Sequence, residues 1–432
     1  MKTHYDAIIV GSGIGGATIA RSLAKLGKKV VILEKGGNHR FLGNHFSIMR
    51  IADMKGFRYT KERSLVASGI TYGGSSVISS GTAFRPPSNS FKKWDIHLDN
   101  YLDQVELETG TTILSDSQLG EGNLNLLAAG NRLGYNWEKL PKFVDPDKCR
   151  IGCSACMMGC KHKAKFTARV LLEEGEQYGL VTQKKEIDHV IIEGNRAIGV
   201  KPKRGHSIYS DLVIVSAGGV HSPIILQKSG IKNSGKSFFM DPMIFTYGVA
   251  KDKKKRTIND IPMSVGTYHF HNEGLLQSPV VDPWGLFLIT FALQRTPWNI
   301  LRIRHYPRLM GIMTKIQDEK AGKLTRGRLS LSISKPLTSQ DQHRLKRGRN
   351  IAKEVLFEAG AKKNKIFSTP TRGAHPGGTN SVGEVVNPDL QTNVKNLFVC
   401  DSSILPHSLG TPLILTLMAF GLRLADYIKK NY

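Results

Sequence analysis

The 432-residue chain is 40% hydrophobic and 22% charged, the balance of a globular protein long enough to build two or three cores. Its 61 Lys and Arg against 35 Asp and Glu leave a net charge of +26 with no recognised nucleic-acid motif, so the excess points to a basic surface, an anionic membrane or an acidic electron-transfer partner, and not to nucleic acid. No apolar run reaches the roughly 18 residues that span a bilayer, and no signal peptide fits ahead of a strand at Asp6; a cytoplasmic location is expected, with peripheral contact at the inner face of the membrane as its variant.

Asp6–Val10 is a short apolar run that reads as a buried strand. Gly11-Ser-Gly13-Ile-Gly-Gly16 follows and matches G-x-G-x-x-G. Ala17–Leu26 has apolar residues at helical spacing, Gly27 stops it, and Lys29–Leu33 reads as a second strand. Glu34 ends that strand, 23 residues after Gly11. Strand, turn, helix, strand and acid in register are the context that turns the motif into a dinucleotide site. Gly11 permits the tight turn, Gly13 lets a pyrophosphate approach the backbone, and Gly16 lets helix and strand pack closely. The helix N-terminus offers free N–H groups to phosphate, and Glu34 suits a ribose. The fingerprint alone leaves FAD and NAD both open.

Tyr72-Gly-Gly-Ser-Ser76 and Gly81 form a loop suited to close passage along a ligand. Residues 90–165 mix helical segments with a cysteine loop, Cys149, Cys153, Cys156 and Cys160, spaced C-x3-C-x2-C-x3-C. Such clustering argues against a disulfide framework in the cytosol and approaches the bacterial iron–sulfur run, with one extra residue in the first gap and Lys161 where that run has proline. Zinc and a metal-free loop stay open beside an iron–sulfur centre. Lys148, Arg150, Lys161, Lys163 and Lys165 would offset thiolate charge. Cys400 closes the apolar run from Leu397 and reads as core.

Ala168–Tyr178 reads as a helix. Glu186–Pro202 and His206–Ser216 read as strands with turns at Gly194-Asn195 and Gly205, the last ending in Ala217-Gly-Gly219. Residues 236–370 show more alternation, as in Leu329–Ile333. Trp284–Leu293, followed by Arg295, Trp298, Arg302, Arg304, Tyr306 and Arg308, reads either as a core strand entering a surface helix or loop, or as an interfacial membrane element. Residues 340–360 form a helix ending at Gly360, and 396–428 give strand, loop and a final helix from about Pro412. The fold expected is α/β: a Rossmann-type nucleotide domain from residues 1–90, 165–235 and 375–432, with an inserted α+β substrate region, 91–164 and 236–374, containing an antiparallel sheet.

Over nearly its whole length the chain resembles the glucose–methanol–choline (GMC) family of FAD oxidoreductases. Tyr72–Ser76 with Gly81 looks like the family's early glycine–serine segment, and Gly218–Gly230 like its second signature, with Gly219 where a slightly larger residue is usual. His375-Pro-Gly-Gly-Thr379, Gly383–Asn387, Asn396–Pro406 and the run through Thr416 to Arg423 and Asp426 resemble its C-terminal part. The resemblance implies FAD, held by Gly11, Gly13, Ile14, Gly15, Gly16, Glu34, Lys35, Gly73, Gly74, Ser75, Ser76, backbone near Val190, Ala217, Gly218, Asp401, Thr411 and Pro412. It also implies oxidation of a CH–OH group, with His375 as the base that takes the hydroxyl proton.

Two departures qualify this. The family's second His or Asn falls on Ile414, between Leu413 and Leu415, and an aliphatic side chain neither bonds an alkoxide nor moves a proton. Either His375 works alone, His407 swings in, or the reaction differs; the apolar residues suit a lipid-like or isoprenoid substrate. The cysteine loop, if it holds an iron–sulfur centre, implies a dehydrogenase passing electrons to an external acceptor. The alternatives are a flavin-dependent reductase or desaturase of a lipid or isoprenoid at the membrane surface, and an electron-transfer or assembly protein without a small substrate.

Overall fold

The structure, a computed structural model, describes residues 4–44, 47–52, 57–292, 297–327 and 331–432. Its first sheet has seven strands, gathered from separate stretches of chain. Val181–Lys184, Val30–Glu34, His4–Val10 and Ile208–Val215 lie side by side and parallel. Ile208–Val215 has a divided outer edge. Its first residues pair with the antiparallel hairpin Ile187–Glu193 and Arg196–Pro202, and Val213–Val215 pair in parallel with Leu397–Val399. The central strands are apolar without alternation because both faces are covered, as in parallel sheets generally.

Helix Ile14–Lys25 covers this sheet and packs between Ala168–Glu176 and the C-terminal helix Ile414–Asn431. It begins three residues before the expected Ala17, because extended Gly13 caps it and releases Ile14 into the first turn. Gly27, at φ +77°, turns the chain out of it. Close approach is built in: a Cβ at Gly15 would lie 2.2 Å from the Cys400 carbonyl oxygen, and one at Gly421 2.9 Å from Thr18 Cβ.

The second sheet has nine strands, mostly antiparallel. Pro242–Ala250, Leu309–Ile316 and Leu275–Pro279 form its centre, and Ala361–Ser368 and Arg372–Gly373 also pair with the first of these. Phe57–Tyr59 and Leu65–Ala67 join through a parallel contact between Leu65-Val66 and Arg372-Gly373. Helix Ser339–Glu358, opened by a capping box between Thr338 and Asp341, packs on this sheet. The architecture is therefore α/β, a Rossmann-type unit joined to a second, largely antiparallel unit.

The structure differs from the expected elements in several places. Trp284–Ala292 is a helix, not a core strand, and Pro297–Arg308 is a 3-10 segment; Leu293 and Arg295 lie outside the described residues. Trp284 and Tyr306 are not free interfacial anchors: Tyr306 meets the rings of Trp284 and Phe287 at 4.8 and 5.0 Å, and Phe287 meets the wholly buried Tyr247 at 5.6 Å. Arg302 stacks on Phe367, and Arg308 donates to the Ala250 carbonyl. The helical period gathers these rings on one side, where they fill a core. Among the described residues no helix is long and apolar enough to cross a membrane. The alternating segment pairs as Leu331–Ser334 with Lys323–Arg326, Leu329 lying outside the described residues, and the last helix starts at Ile414, two residues past Pro412.

Gly15→Ala is expected to lose about 1–3 kcal/mol of stability through overpacking against the Cys400 carbonyl. Gly13→Ala, whose new methyl finds its nearest neighbour 4.0 Å away, is expected to unfold at the wild-type denaturant midpoint. Equal midpoints for the two variants in guanidinium unfolding would contradict the packing account.

Candidate active site

One cavity of about 860 Å³ lies at the carboxyl ends of the parallel strands and continues to the second sheet. That end of a parallel sheet is where ligands bind in doubly wound folds. Val10, Glu34 and Ser216 mark its floor, and Met243, Phe245 and Met313 face it from the second sheet. Of the expected cofactor residues, Gly11, Gly13, Ile14, Gly15, Glu34, Lys35, Gly74, Ser75, Ser76, Ala217, Gly218, Asp401 and Pro412 line it.

The glycines divide by role. Gly11, at φ +105°, has Ser216 oxygen 2.4 Å from where a Cβ would be, and at Gly16 the Gly11 oxygen would be at 2.3 Å. These two and Gly15 serve close packing of chain on chain, and Gly13 leaves space on the cavity side. Gly73 stands behind the lining: it turns at φ +91° and donates its N–H to Ser12 Oγ at 3.0 Å. Ser12 is a motif position that carried no expectation. Its N–H and hydroxyl both donate to Glu34 Oε2, at 2.9 and 2.8 Å, and Gly36 N–H donates to Oε1 at 2.6 Å. Glu34 is thereby fixed in the cavity floor as an acceptor.

Val190 does not reach the cavity. Its side chain is buried and its N–H donates to Ser229 Oγ, whereas Glu186, Ile187 and Asp188 form the wall there. Bulges in the hairpin shift the register between Ile187 and His189, which the alternation of residues conceals. Thr411 is also buried behind the lining, with a hydroxyl that has no hydrogen-bond partner. Asp401 accepts from Gly218 N–H at 2.8 Å, Ser222 Oγ at 2.5 Å and Ser403 N–H at 2.8 Å. It ties the Gly218 helix to the last strand; burial raises its pKa against these donors.

His375 lines the other end of the cavity, about a quarter exposed. Its Nδ1 lies 2.9 Å from Oδ2 of the fully buried Asp241. A carboxylate only accepts, so Nδ1 carries the proton and Nε2 is the acceptor nitrogen. Ser408 Oγ donates to Asp241 Oδ1 at 2.5 Å. Asp241 adopts φ +46°, a left-handed conformation that non-glycine residues take only when surroundings impose it. Lys315, on strand Leu309–Ile316, brings Nζ to 3.4 Å from His375 Nδ1. Burial and Lys315 hold the imidazole below its ordinary pKa of 6.5, and Asp241 pulls it up. Neither partner was found in the sequence: Asp241 lies 134 residues before His375, and Lys315 sits in an otherwise apolar strand.

Ile414, Leu413 and Leu417 form an apolar wall of the same cavity. His407 is not part of its lining in this structure; its ring stacks on Phe91 at 6.4 Å. Arg372, beside His375 in sequence, makes a buried bidentate pair with Asp282 at 3.1 and 2.6 Å and lies over the Phe245 ring at 4.0 Å.

Cys149, Cys153, Cys156 and Cys160 share one tight loop with positive φ at Gly152, Ser154, Gly159 and Cys160, and all are free thiols. They do not line the cavity, and among the described residues no three His, Cys, Asp or Glu side chains are placed to hold a metal. Lys165, one of the bases expected to offset thiolate charge around the loop, is buried. Its Nζ donates to the carbonyls of Val77, Ser79 and Cys156 at 2.7–2.8 Å, joining the cavity wall to the cysteine loop. Lys142 is buried likewise, donating to Ser80 O, Thr82 Oγ1 and Pro262 O. Burial lowers their pKa values, to about 8 for Lys165 and about 7 for Lys142.

A family model described as GMC oxidoreductase matches residues 5–251 with its N-terminal part and 274–421 with its C-terminal part. An uncharacterized protein of Methanocaldococcus jannaschii is 29% identical over 421 residues, covering 96% of this chain and 98% of its own. The long-chain-alcohol oxidase FAO4A of Arabidopsis thaliana is 25% identical over 513 residues, covering 100% and 70%. Formate oxidase of Aspergillus oryzae shares the fold, with a TM-score of 0.75 at 15% identity, covering 100% of this chain and 99% of that one.

Asp282→Ala would leave Arg372 buried without a counter-charge and is expected to cost about 3–5 kcal/mol in urea unfolding. Asp282→Leu combined with Arg372→Met should recover most of that loss. A single variant as stable as wild type would show that the pair is not structural.

Proposed function

The chain belongs to the GMC oxidoreductase family of FAD-dependent enzymes, and from that membership we propose that it is a dehydrogenase of apolar alcohols, with His375 as its catalytic base. The observation that carries this reading is a cavity-lining imidazole fixed at Nδ1 by a buried acid, with apolar side chains among its neighbours in the lining. The residues fit FAD: the cavity runs from the glycine turn to His375, Gly13 leaves room for a phosphate, and Glu34 and Asp401 stand along it. Residues 1–90, 165–235 and 375–432 would hold it. Bound FAD supplies the hydride acceptor.

The chain's own part is proton transfer and orientation. Nε2 of His375 takes the hydroxyl proton of the substrate as its carbon–hydrogen bond gives up hydride and the C–O bond becomes a carbonyl. Asp241 keeps the ring in the tautomer that makes Nε2 the acceptor. Met243, Phe245, Met313, Leu413, Ile414 and Leu417 exclude water and suit a hydrocarbon chain, and the long-chain-alcohol oxidase among the relatives supports that class.

The cysteine loop gives the reading its dehydrogenase character. The spacing of Cys149, Cys153, Cys156 and Cys160 supports an iron–sulfur centre as the electron exit to an external acceptor, although in the described structure the four thiols are not gathered into a ligand set. Two buried lysines among carbonyls and thiols supply positive charge where four thiolates would need it. Ile414 and the same apolar wall favour a second reading, reduction or desaturation of a lipid or isoprenoid.

Purified protein should be yellow, and a long-chain alcohol should bleach the flavin band without oxygen. If alcohols from short to long chain leave the flavin oxidised while dithionite reduces it, the CH–OH assignment is wrong. His375→Ala should retain FAD and slow the bleaching by about 10²–10⁴. Because the active imidazole is neutral and its pKa is lowered, the rate should stay level down to pH 6.5 and fall only below it. Anaerobically purified protein should contain iron and acid-labile sulfide, both lost on changing Cys153 and Cys156 to Ser; their absence from the wild type would remove the proposed electron exit.

A further inference from the structure

His375 shares its acid with a buried cation. Lys315 stands opposite Met243 on one neighbouring strand and Leu276 on the other, and its side chain is 1% exposed. Its Nζ lies 3.4 Å from His375 Nδ1 and 3.8 Å from Asp241 Oδ2. Asp241 has little freedom to rearrange. Oδ2 faces His375, Oδ1 accepts from Ser408, and its backbone N–H donates to Asp318 Oδ1 at 3.1 Å. Asp318 is itself held by Lys335 at 3.1 Å, with Asp341 on the far side of that lysine. His407 feels Asp241 but packs on Phe91. Among the described residues the charged groups facing the imidazole are therefore one acid and one base, in a place where an unmatched charge is costly.

We infer that Lys315 is a positioning residue whose ammonium matches the charge of Asp241, so that His375 rests as the neutral imidazole with Nε2 as a free base. With Lys315 charged, acid and lysine balance, and a proton on His375 adds an unmatched charge. Without Lys315 the imidazolium becomes the partner that balances Asp241. The inference rests on His375 as the base of the proposed reaction, yet its geometry concerns only the proton affinity of that ring.

Histidine side-chain NMR on the FAD-loaded protein tests it, with the His375 signal identified by its loss in His375→Gln. The wild-type midpoint is expected below 6.5. Lys315→Met should raise it by about one unit, a tenfold change in acid constant, and move the acid limb of alcohol-driven bleaching the same way. Lys315→Arg should stay near wild type, and Asp241→Asn should lower the midpoint. A role confined to packing would lower stability or flavin content in Lys315→Met and leave the midpoint in place, which would overturn the inference. Should Lys315→Met not fold, Lys315→Gln makes the same comparison, and a wild-type midpoint above 7 refutes the inference without any variant. A midpoint that rises in Lys315→Met while His375→Ala still bleaches normally would keep the charge relation and remove the base role.

Discussion

The site depends on how closely four chain segments meet at the carboxyl ends of the parallel strands. Gly11 lies against the Ser216 carbonyl, Gly16 against Gly11, and Gly15 against the Cys400 carbonyl, each at a distance that no side chain would permit. Interiors are close-packed and respond to a single methyl group, so these contacts fix the fingerprint helix relative to the first and last strands together. Asp401 follows Cys400 directly, and its carboxylate reaches Gly218 and Ser222 because that strand is drawn in. The loop at Gly73-Gly74 is fastened to the same place through Ser12. The end of the cavity near Glu34 is thus one rigid assembly of backbone, with side chains used mainly to tie segments together.

What the sequence revealed follows from range. The fingerprint is a local arrangement within 24 residues, and its glycines, helix and acid stand close to where the pattern puts them. His375 and Asp401 were visible through a motif that runs over neighbouring residues. The acid of the dyad was not, because Asp241 reaches His375 only after strands Pro242–Ala250 and Arg372–Gly373 pair side by side. Lys315 carries no local signal of its place, because its burial comes from a strand that lies between two others and is buried along its length. Aromatic and basic residues after Trp284 resembled membrane anchors because the same chemistry serves both surfaces: a ring that meets a lipid interface also meets another ring in a core. The resemblance pointed to backbone near Val190, whereas Glu186, Ile187 and Asp188 form the cavity wall there, beside a bulge in the hairpin.

The charge has an interior component as well. Among the described residues four lysines, Lys142, Lys165, Lys315 and Lys335, are buried, so part of the net +26 is structural and does not belong to any docking surface. They are matched in two ways. Lys315 and Lys335 face carboxylates. Lys142 and Lys165 are surrounded by carbonyl and hydroxyl oxygens, which neutralise hydrogen-bonding capacity but not charge. A cation solvated only by dipoles retains a long-range field in a medium of low dielectric, and that field falls on the cysteine loop from one side and on the Ser76–Thr82 wall from the other.

Ile414 fits the same electrostatic picture. In the proposed reaction a second polar side chain would share the developing negative charge on the substrate oxygen, and an aliphatic one cannot. Yet an apolar wall lowers the local dielectric, and every remaining polar contact then acts more strongly. In that proposed reaction, with Asp241 behind it, His375 would both accept the proton and have its new charge stabilised, so that acceptor and stabiliser would be joined in one dyad. Lys315 sets the opposite limit by disfavouring that charge before the proton arrives. On the proposed reaction Ile414 would thus concentrate the proton chemistry on a single, closely supported imidazole and would leave the rest of the cavity free to recognise hydrocarbon.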